Sequence, residues 1–472
     1  MTREIAIFDL DSGLLGRSPL PVFAEALAVV DPPRGQLVRA AQAVYRLLDA
    51  GTGPFLTDVA VRAAVRGAAG WTVSQLQEAG ERAAEALDDL VAPHARVAMD
   101  EHRGAGRRLV LTTVLASDVA GPVADRLGFD AVIATHLGSQ DGTCDGTVEG
   151  PVVWGRGKLV AAREWAANND ALLARSYAYA GRLADAPLLA EVGHPTVIDP
   201  DPRLAVLAWL RGWPTRSFDV PPGIPRVGPW ELQEWLRPLT RPEVTPIARI
   251  ELLDLEHIPA SGPAIVCGNH RSYFDVVAVS QAVARSGRKS RFLGKKEVFD
   301  APVVGPLARW LGGIRVDRGT GSDEPLEAAA LALRAGELVT LMPQGTIPRG
   351  PAFFEPELKG RWGAARLAAL TRAPVIPLAL WGTEKVWPRS SRLPRLDVLN
   401  RPLVTVRAGP PVELFYEDPE EDTKRIMSAI ADLLPPEAHE RRQPTDEELV
   451  LTYPPGYEGN PAGEHERRPG RD

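Results

Sequence analysis

The sequence predicts a two-domain α/β protein, and three observations carry that prediction. Short, fully apolar runs such as Ile5–Phe8 and Ala264–Cys267 recur along the chain, as buried parallel strands require. Helical text separates them, the alternation expected of β-α-β units. A stretch dense in proline (Pro221, Pro222, Pro225, Pro229, Pro238, Pro242, Pro246) interrupts the alternation once, near the middle.

In order, the first half offers strands at Ile5–Phe8, Leu109–Leu111 and Ala131–Ala134, with helical text from about Pro19 to Met99 between the first two. The second half restarts at Ile247, with strands at Ala264–Cys267, Arg291–Leu293, Leu338–Leu341 and Val375–Leu378. The expected divisions are a domain over 1–216 with a helical cap at about 17–100, a linker over 217–246, a second domain over 247–435, and a polar, mostly disordered tail over 436–472.

Composition narrows the function classes. With 472 residues, 44% of them hydrophobic, the chain can bury sizeable cores. A net charge of -7 argues against nucleic acid as a partner. Two distant cysteines, Cys144 and Cys267, have no metal-ligand spacing and fit a reducing, cytoplasmic setting. No stretch approaches 18 uninterrupted apolar residues, so any membrane contact is expected to be peripheral.

Candidate chemistry in the second half centres on Asn269-His270-Arg271-Ser272-Tyr273-Phe274-Asp275. The spacing of His270 and Asp275 is weak by itself, because His136–Asp141 and His194–Asp199 share it. Context separates the first pair. His270 follows a strand and precedes helical text, a turn where a side chain can face a cleft. Asp275 can then bond one imidazole nitrogen and leave the other free to take a proton.

Three further blocks follow: Gly312-Gly313-Ile314-Arg315-Val316-Asp317-Arg318, Leu341-Met342-Pro343-Gln344-Gly345-Thr346 and Ala373-Pro374-Val375-Ile376-Pro377-Leu378. In order and approximate separation, this half resembles the glycerolipid acyltransferases typified by 1-acylglycerol-3-phosphate acyltransferases. The resemblance implies a general base at His270, oriented by Asp275. It implies contacts to the acceptor from Asn269, and to its phosphate from Arg318, Gly345 and Thr346. The donor would be acyl-CoA or an acyl carrier protein, the acceptor lysophosphatidic acid, and no metal is needed for that step. Gln344 departs from the pattern, which usually has glutamate there.

A basic set, Arg285, Arg288, Lys289, Arg291, Lys295, Lys296, Arg309, Arg315 and Arg318, is expected to attract phosphates or anionic headgroups. Val298–Ile314, rich in apolar residues, is a candidate acyl tunnel or bilayer contact.

In the first half, Phe8-Asp9-Leu10-Asp11 closes the first strand. Two carboxylates so placed suit Mg²⁺-assisted phosphoryl transfer. With Thr112-Thr113 (Thr113 preferred), Lys158 and Asp185, the segment resembles the haloacid dehalogenase-like phosphatases with a phosphoserine-phosphatase-type helical cap. The resemblance implies a Mg²⁺ site at Asp9, Asp11 and Asp185. Gly181 stands where a further metal-binding aspartate belongs, Arg182 adds a positive charge, and Gly13 replaces the usual threonine or valine. An impaired or regulatory first domain is therefore expected. The alternative is a Mg²⁺-dependent phosphatase with a lipid-binding second domain.

Overall fold

The computed structural model describes residues 3–15, 19–33, 63, 65–221, 224–227, 230–300, 302, 304–316 and 324–458. The chain forms two compact units, Met1–Pro222 and Gly223–Asp472.

The first unit is built on a seven-stranded sheet of β1 (Ile5–Asp9), β2 (Arg108–Ala116), β3 (Ala131–Gln140), β4 (Thr143–Glu149), β5 (Tyr177–Ala180), β6 (His194–Ile198) and β7 (Thr215–Arg216). The strand order is β4-β3-β2-β1-β5-β6-β7, and only the β3–β4 pair is antiparallel. Alternation along β1 sends Phe8 into one core with Leu109, Leu111 and Tyr179, and Ile5 and Ile7 into the other with Val110 and Ala178. A sheet with apolar residues on both faces must be covered on both, which is why these strands read as unbroken apolar runs.

The second unit carries β10 (Arg249–Leu253), β11 (Ala264–Gly268), β12 (Ser290–Lys295), β13 (Ile314–Val316), β14 (Leu338–Leu341), β15 (Val375–Trp381) and β16 (Leu403–Ala408). Their order is β10-β16-β15-β11-β14-β12-β13, parallel except between β15 and β16. The completely buried β11 lies at the centre. Its neighbours β14 and β15 run parallel to it, so all three end on one edge of the sheet. In open α/β sheets, sites form at such carboxyl ends.

Two expectations about organisation are corrected. The proline-rich stretch is not a free linker. It forms a hairpin of β8 (Arg226–Val227) and β9 (Trp230–Glu231), followed by a helix at Leu232–Leu236. Glu231 is fully buried against Arg291, and Gln233 donates to the carbonyls of Ser290 and Leu311. Prolines shape the segment, but its polar anchors belong to the second unit. The tail is likewise docked as far as residue 458. A helix at Asp446–Leu451 is fixed by its Thr445 cap, and the backbone N–H of Gly350 donates to the buried Thr452 hydroxyl at 2.8 Å. About a third of the expected cap, chiefly 34–62, lies outside the described residues.

Candidate functional sites

In the second unit, His270 follows β11 directly and Asp275 opens the helix Asp275–Arg285. Nδ1 of His270 lies 2.7 Å from Oδ2 of Asp275. That same oxygen accepts the backbone N–H groups of Arg271 (2.7 Å) and Ser272 (2.8 Å). Asp275 is completely buried, and its Oδ1 has no hydrogen-bond partner in the structure. A buried carboxylate holding three donors is a fixed acceptor. It keeps the proton on Nδ1 and leaves Nε2 as the basic nitrogen. The imidazole itself is partly exposed, at 19%.

Neighbouring residues hold this turn in place. Asn269 accepts from the Leu380 N–H at 2.7 Å and donates to the Leu380 carbonyl at 2.9 Å. Its amide therefore clamps β15 beside β11, so its task here is positioning rather than the expected acceptor contact. Gln344 accepts the His270 backbone N–H at 2.6 Å. That bond needs an acceptor oxygen and no charge, so the amide serves where glutamate is usual. Arg271 forms a two-point pair with Glu384 at 3.0 and 3.2 Å, and its guanidinium lies over the rings of Phe353 and Trp381. Sequence reasoning missed Glu384, and Trp387, whose carbonyl accepts the Ser272 hydroxyl, because they reach the turn only through the fold.

The expected phosphate contacts fare differently. The Gly345 N–H donates to the Met342 carbonyl at 2.8 Å, with Gly345 at φ +71°, so that amide closes its own turn. Thr346 follows it on the same edge as His270. Arg318 lies outside the described residues, beyond the end of β13.

Four of the nine residues of the expected basic cluster are engaged inside the unit. Arg291 is buried between Glu231 and Glu337, Lys289 pairs with Glu231 at 2.6 Å, and Arg315 pairs with Asp300 at 3.4 Å. Arg288 donates to the carbonyls of Pro259, Gly262 and Gly336. Burying Glu231 opposes its charge, but bonds from Arg291 and Lys289 outweigh this and lower its pKa. Within Val298–Ile314, Phe299 is core, its ring seated against Gly294 and Gly313.

The two decoy histidines sit apart from such machinery. His136 is an exposed strand residue opposite Glu149, and His194 stacks on Tyr177 at 4.4 Å.

In the first unit, Asp9 ends β1 and its Oδ2 accepts from both the backbone N–H (2.9 Å) and hydroxyl (2.6 Å) of Ser12. Lys158 Nζ lies 2.5 Å from Asp9 and 2.5 Å from Asp185, with all three side chains nearly inaccessible. Burial pulls the lysine pKa down, but Asp185 and Asp9 reverse this and leave it raised. Burial, then the charge of Asp9, pushes Asp11 up to about 7. Strand register revises one choice. Asp9 pairs with Thr112 across β1 and β2, and paired residues share a face. Thr112 therefore faces Asp9's side, with a buried hydroxyl lacking a partner in the structure. Thr113 projects to the opposite face and accepts from the Leu115 N–H.

The expected Mg²⁺ site would draw on Asp9, Asp11 and Asp185, but Lys158 already bridges Asp9 and Asp185 and Gly181 supplies no carboxylate. Among the described residues, no three His, Cys, Asp or Glu side chains gather as a metal would require. The Gly181 N–H donates to Ser12 Oγ at 3.0 Å. A Cβ at that position would lie 2.1 Å from the Ile198 carbonyl oxygen and 2.9 Å from that of Ser12. The backbone has closed over the place of the missing carboxylate. Gly13 is equally confined, its Cβ position 2.4 Å from the Tyr179 carbonyl oxygen.

The comparisons divide the chain the same way. The haloacid dehalogenase-like hydrolase model matches residues 6–190, and the acyltransferase model matches residues 249–381. The inhibition of morphological differentiation protein of Streptomyces azureus is 33% identical over 230 residues, spanning 47% of this chain and 80% of that protein. The phosphoserine phosphatase SerB1 of Mycobacterium tuberculosis is 32% identical over 234 residues, 47% of this chain and 73% of that protein. Among solved structures, the 1-acyl-sn-glycerophosphate acyltransferase of Thermotoga maritima covers 42% of this chain and 76% of its own, at 22% identity and a TM-score of 0.32. The chain thus belongs to the haloacid dehalogenase-like hydrolase family through its first unit, and carries a domain of the acyltransferase family in its second.

Proposed function

We propose that the second unit acylates 1-acylglycerol-3-phosphate, taking the chain from acyl-CoA or an acyl carrier protein and forming phosphatidic acid. The observation that carries this reading is the His270–Asp275 pair, with Nδ1 held at 2.7 Å and Nε2 left basic at a strand end. The acceptor O–H gives its proton to Nε2 while its oxygen attacks the thioester carbonyl carbon. The C–S bond then breaks, and the departing thiolate takes the proton back from Nε2. Buried Asp275 is placed to stabilise the imidazolium that forms in between. The choice of acceptor rests on the order of the motif blocks, and the family match supports acyl transfer in general.

The test is radiolabelled acyl-CoA offered to a panel of acceptors. Wild type should label lysophosphatidic acid, and His270→Ala should lose at least about a thousandfold in turnover while melting normally. Comparable turnover by His270→Ala overturns the mechanism. Labelling of a different acceptor overturns the substrate assignment alone.

A second reading assigns phosphate-ester hydrolysis to the first unit. Relatives named as phosphatases and the Asp9–Lys158–Asp185 cluster favour it. The closed backbone at Gly181 disfavours the metal-assisted route. We therefore assign the first unit a role that does not depend on Mg²⁺-assisted turnover. Location at the cytoplasmic membrane face, by peripheral contact, belongs to the same proposal.

A further inference from the structure

The second unit displays a surface segment whose apolar tips neither its core nor its catalytic turn covers. Between the end of β15 and the start of β16, the chain reads Val386-Trp387-Pro388-Arg389-Ser390-Ser391-Arg392-Leu393-Pro394-Arg395-Leu396-Asp397-Val398-Leu399-Asn400-Arg401-Pro402. Four of its apolar side chains are turned to solvent: Leu393 at 70%, Leu396 at 76%, Val398 at 55% and Leu399 at 90%. Scattered exposed leucines are ordinary, but four within seven residues are not.

The loop is ordered by its own bonds. The Arg395 N–H donates to the Val386 carbonyl at 2.8 Å, and Trp387 Nε1 donates to the Ser391 carbonyl at 3.1 Å. Asp397 accepts the N–H groups of Leu399 and Asn400, fixing the tip where Leu399 stands out. A chain that merely lacked a core would have no reason to hold these side chains outward so firmly.

Charge decides what could cover them. Arg392, Arg395 and Arg401 are exposed and alternate with the leucines. The sole acid in the segment, Asp397, faces its own turn. The segment is thus strongly basic within a chain of net charge -7. Apolar tips interleaved with arginine suit a bilayer carrying anionic lipid. The leucines can enter the acyl region while the guanidinium groups stay among phosphates.

Position completes the case. The Ser272 hydroxyl, two residues from His270, donates to the Trp387 carbonyl at 2.6 Å, and Tyr273 packs edge-on against the Trp387 ring. Tyr273 and the following Val276 and Val277 are themselves exposed, at 42%, 45% and 39%. The loop is therefore stapled to the catalytic turn.

We propose that residues 388–402 form a docking surface for anionic bilayers, seating the His270 turn at the membrane from which lipid is drawn. The choice of a lipid surface rests on the acyl-transfer reading; the surface itself rests on exposure, charge and order. No membrane-spanning helix is required, and none of the described helices is long and apolar enough to be one.

The full chain should co-sediment with vesicles of phosphatidylcholine and phosphatidylglycerol, less with phosphatidylcholine alone, and less again as salt rises. The double variant Leu396→Asp/Leu399→Asp should bind anionic vesicles at least about tenfold more weakly. Arg392→Gln/Arg395→Gln/Arg401→Gln should lose the preference for anionic lipid. These positions are exposed, so both variants should melt as wild type does. Wild-type binding by the double variant overturns the proposal. So does a wild-type dimer that the double variant converts to monomer with vesicle binding intact, which would mean a second copy covers the patch. His270→Ala should bind vesicles normally, which separates the two readings. Loop-dependent binding without acyl transfer supports this surface and overturns the acyl-transfer reading. Acyl transfer with loop-independent binding does the reverse.

Discussion

Gln344 illustrates how a single side chain can depart from a motif without loss. Its Oε1 accepts the His270 N–H, a bond that an amide and a carboxylate make equally well. Gln344→Glu should therefore retain acyl transfer within about threefold, whereas Gln344→Ala should lose at least about tenfold through a loosened turn. Steady-state kinetics would decide between them, and a strong loss in the glutamate variant would contradict the assigned role. His102 makes a different residue-scale case. It is buried, bonded to the Tyr179 hydroxyl at 2.8 Å, and burial, then Arg107, pushes its pKa down to about 4. The unfolded chain binds this proton more readily than the folded one. Stability should then fall as pH drops from about 6.5 towards 4, by up to about 3 kcal/mol from this group. Thermal melts over that range should show a shallower decline for His102→Gln than for wild type. Equal slopes would mean the histidine is not a significant part of acid unfolding.

At the scale of elements, the informative one is the β8–β9 hairpin with its following helix. Its prolines read as a linker because proline withholds backbone donors from helices and sheets. Its fold is set instead by Glu231, which meets Arg291 and Lys289 in the second unit. Removing Glu231 takes two hydrogen bonds from Arg291, which keeps only its pair with Glu337. Glu231→Ala should destabilise that unit by about 1–3 kcal/mol, measured by chemical denaturation. Because the pKa of Glu231 is lowered on folding, its contribution is present above the ordinary carboxylate range and is lost on acidification through the folded value. A fragment starting at residue 224 and ending at 458 should therefore melt cooperatively. One cut to 247–435 should not, since it discards Glu231 and the docked Thr452.

For the whole molecule, the chain joins a site with an ordered His270–Asp275 pair to one where Gly181 replaces an expected metal-binding carboxylate. Gly181→Asp should not restore Mg²⁺-dependent phosphate release. The new Cβ would press on the Ile198 carbonyl, and the variant should melt lower than wild type. Calorimetric titration of wild type with MgCl₂ should show no binding in the millimolar range, and clear saturable binding would contradict this reading of the first unit.

Much of this was legible in the linear chain because it depends on local pattern. Runs wholly or mainly apolar marked β1, β2, β3, β11, β12, β14 and β15, since strands buried on both faces need no polar alternation. The short β13 and the half-exposed β10 and β16 were among those that escaped, because their residues are too few or alternate. The His270–Asp275 pair was legible because both members lie on one turn. Sequence by itself indicated the two-domain α/β class, the family resemblance of each half, and the spacing that sets His270 beside Asp275. Only the tertiary structure decided that Asn269 clamps a strand, that Arg288 and Arg291 are engaged by internal carbonyls and carboxylates, that Thr112 rather than Thr113 shares Asp9's face, and that Gly181 leaves no room for a ligand. Each of those depends on a partner from another strand or a distant segment, and spacing along the chain does not encode which strands become neighbours or in what register.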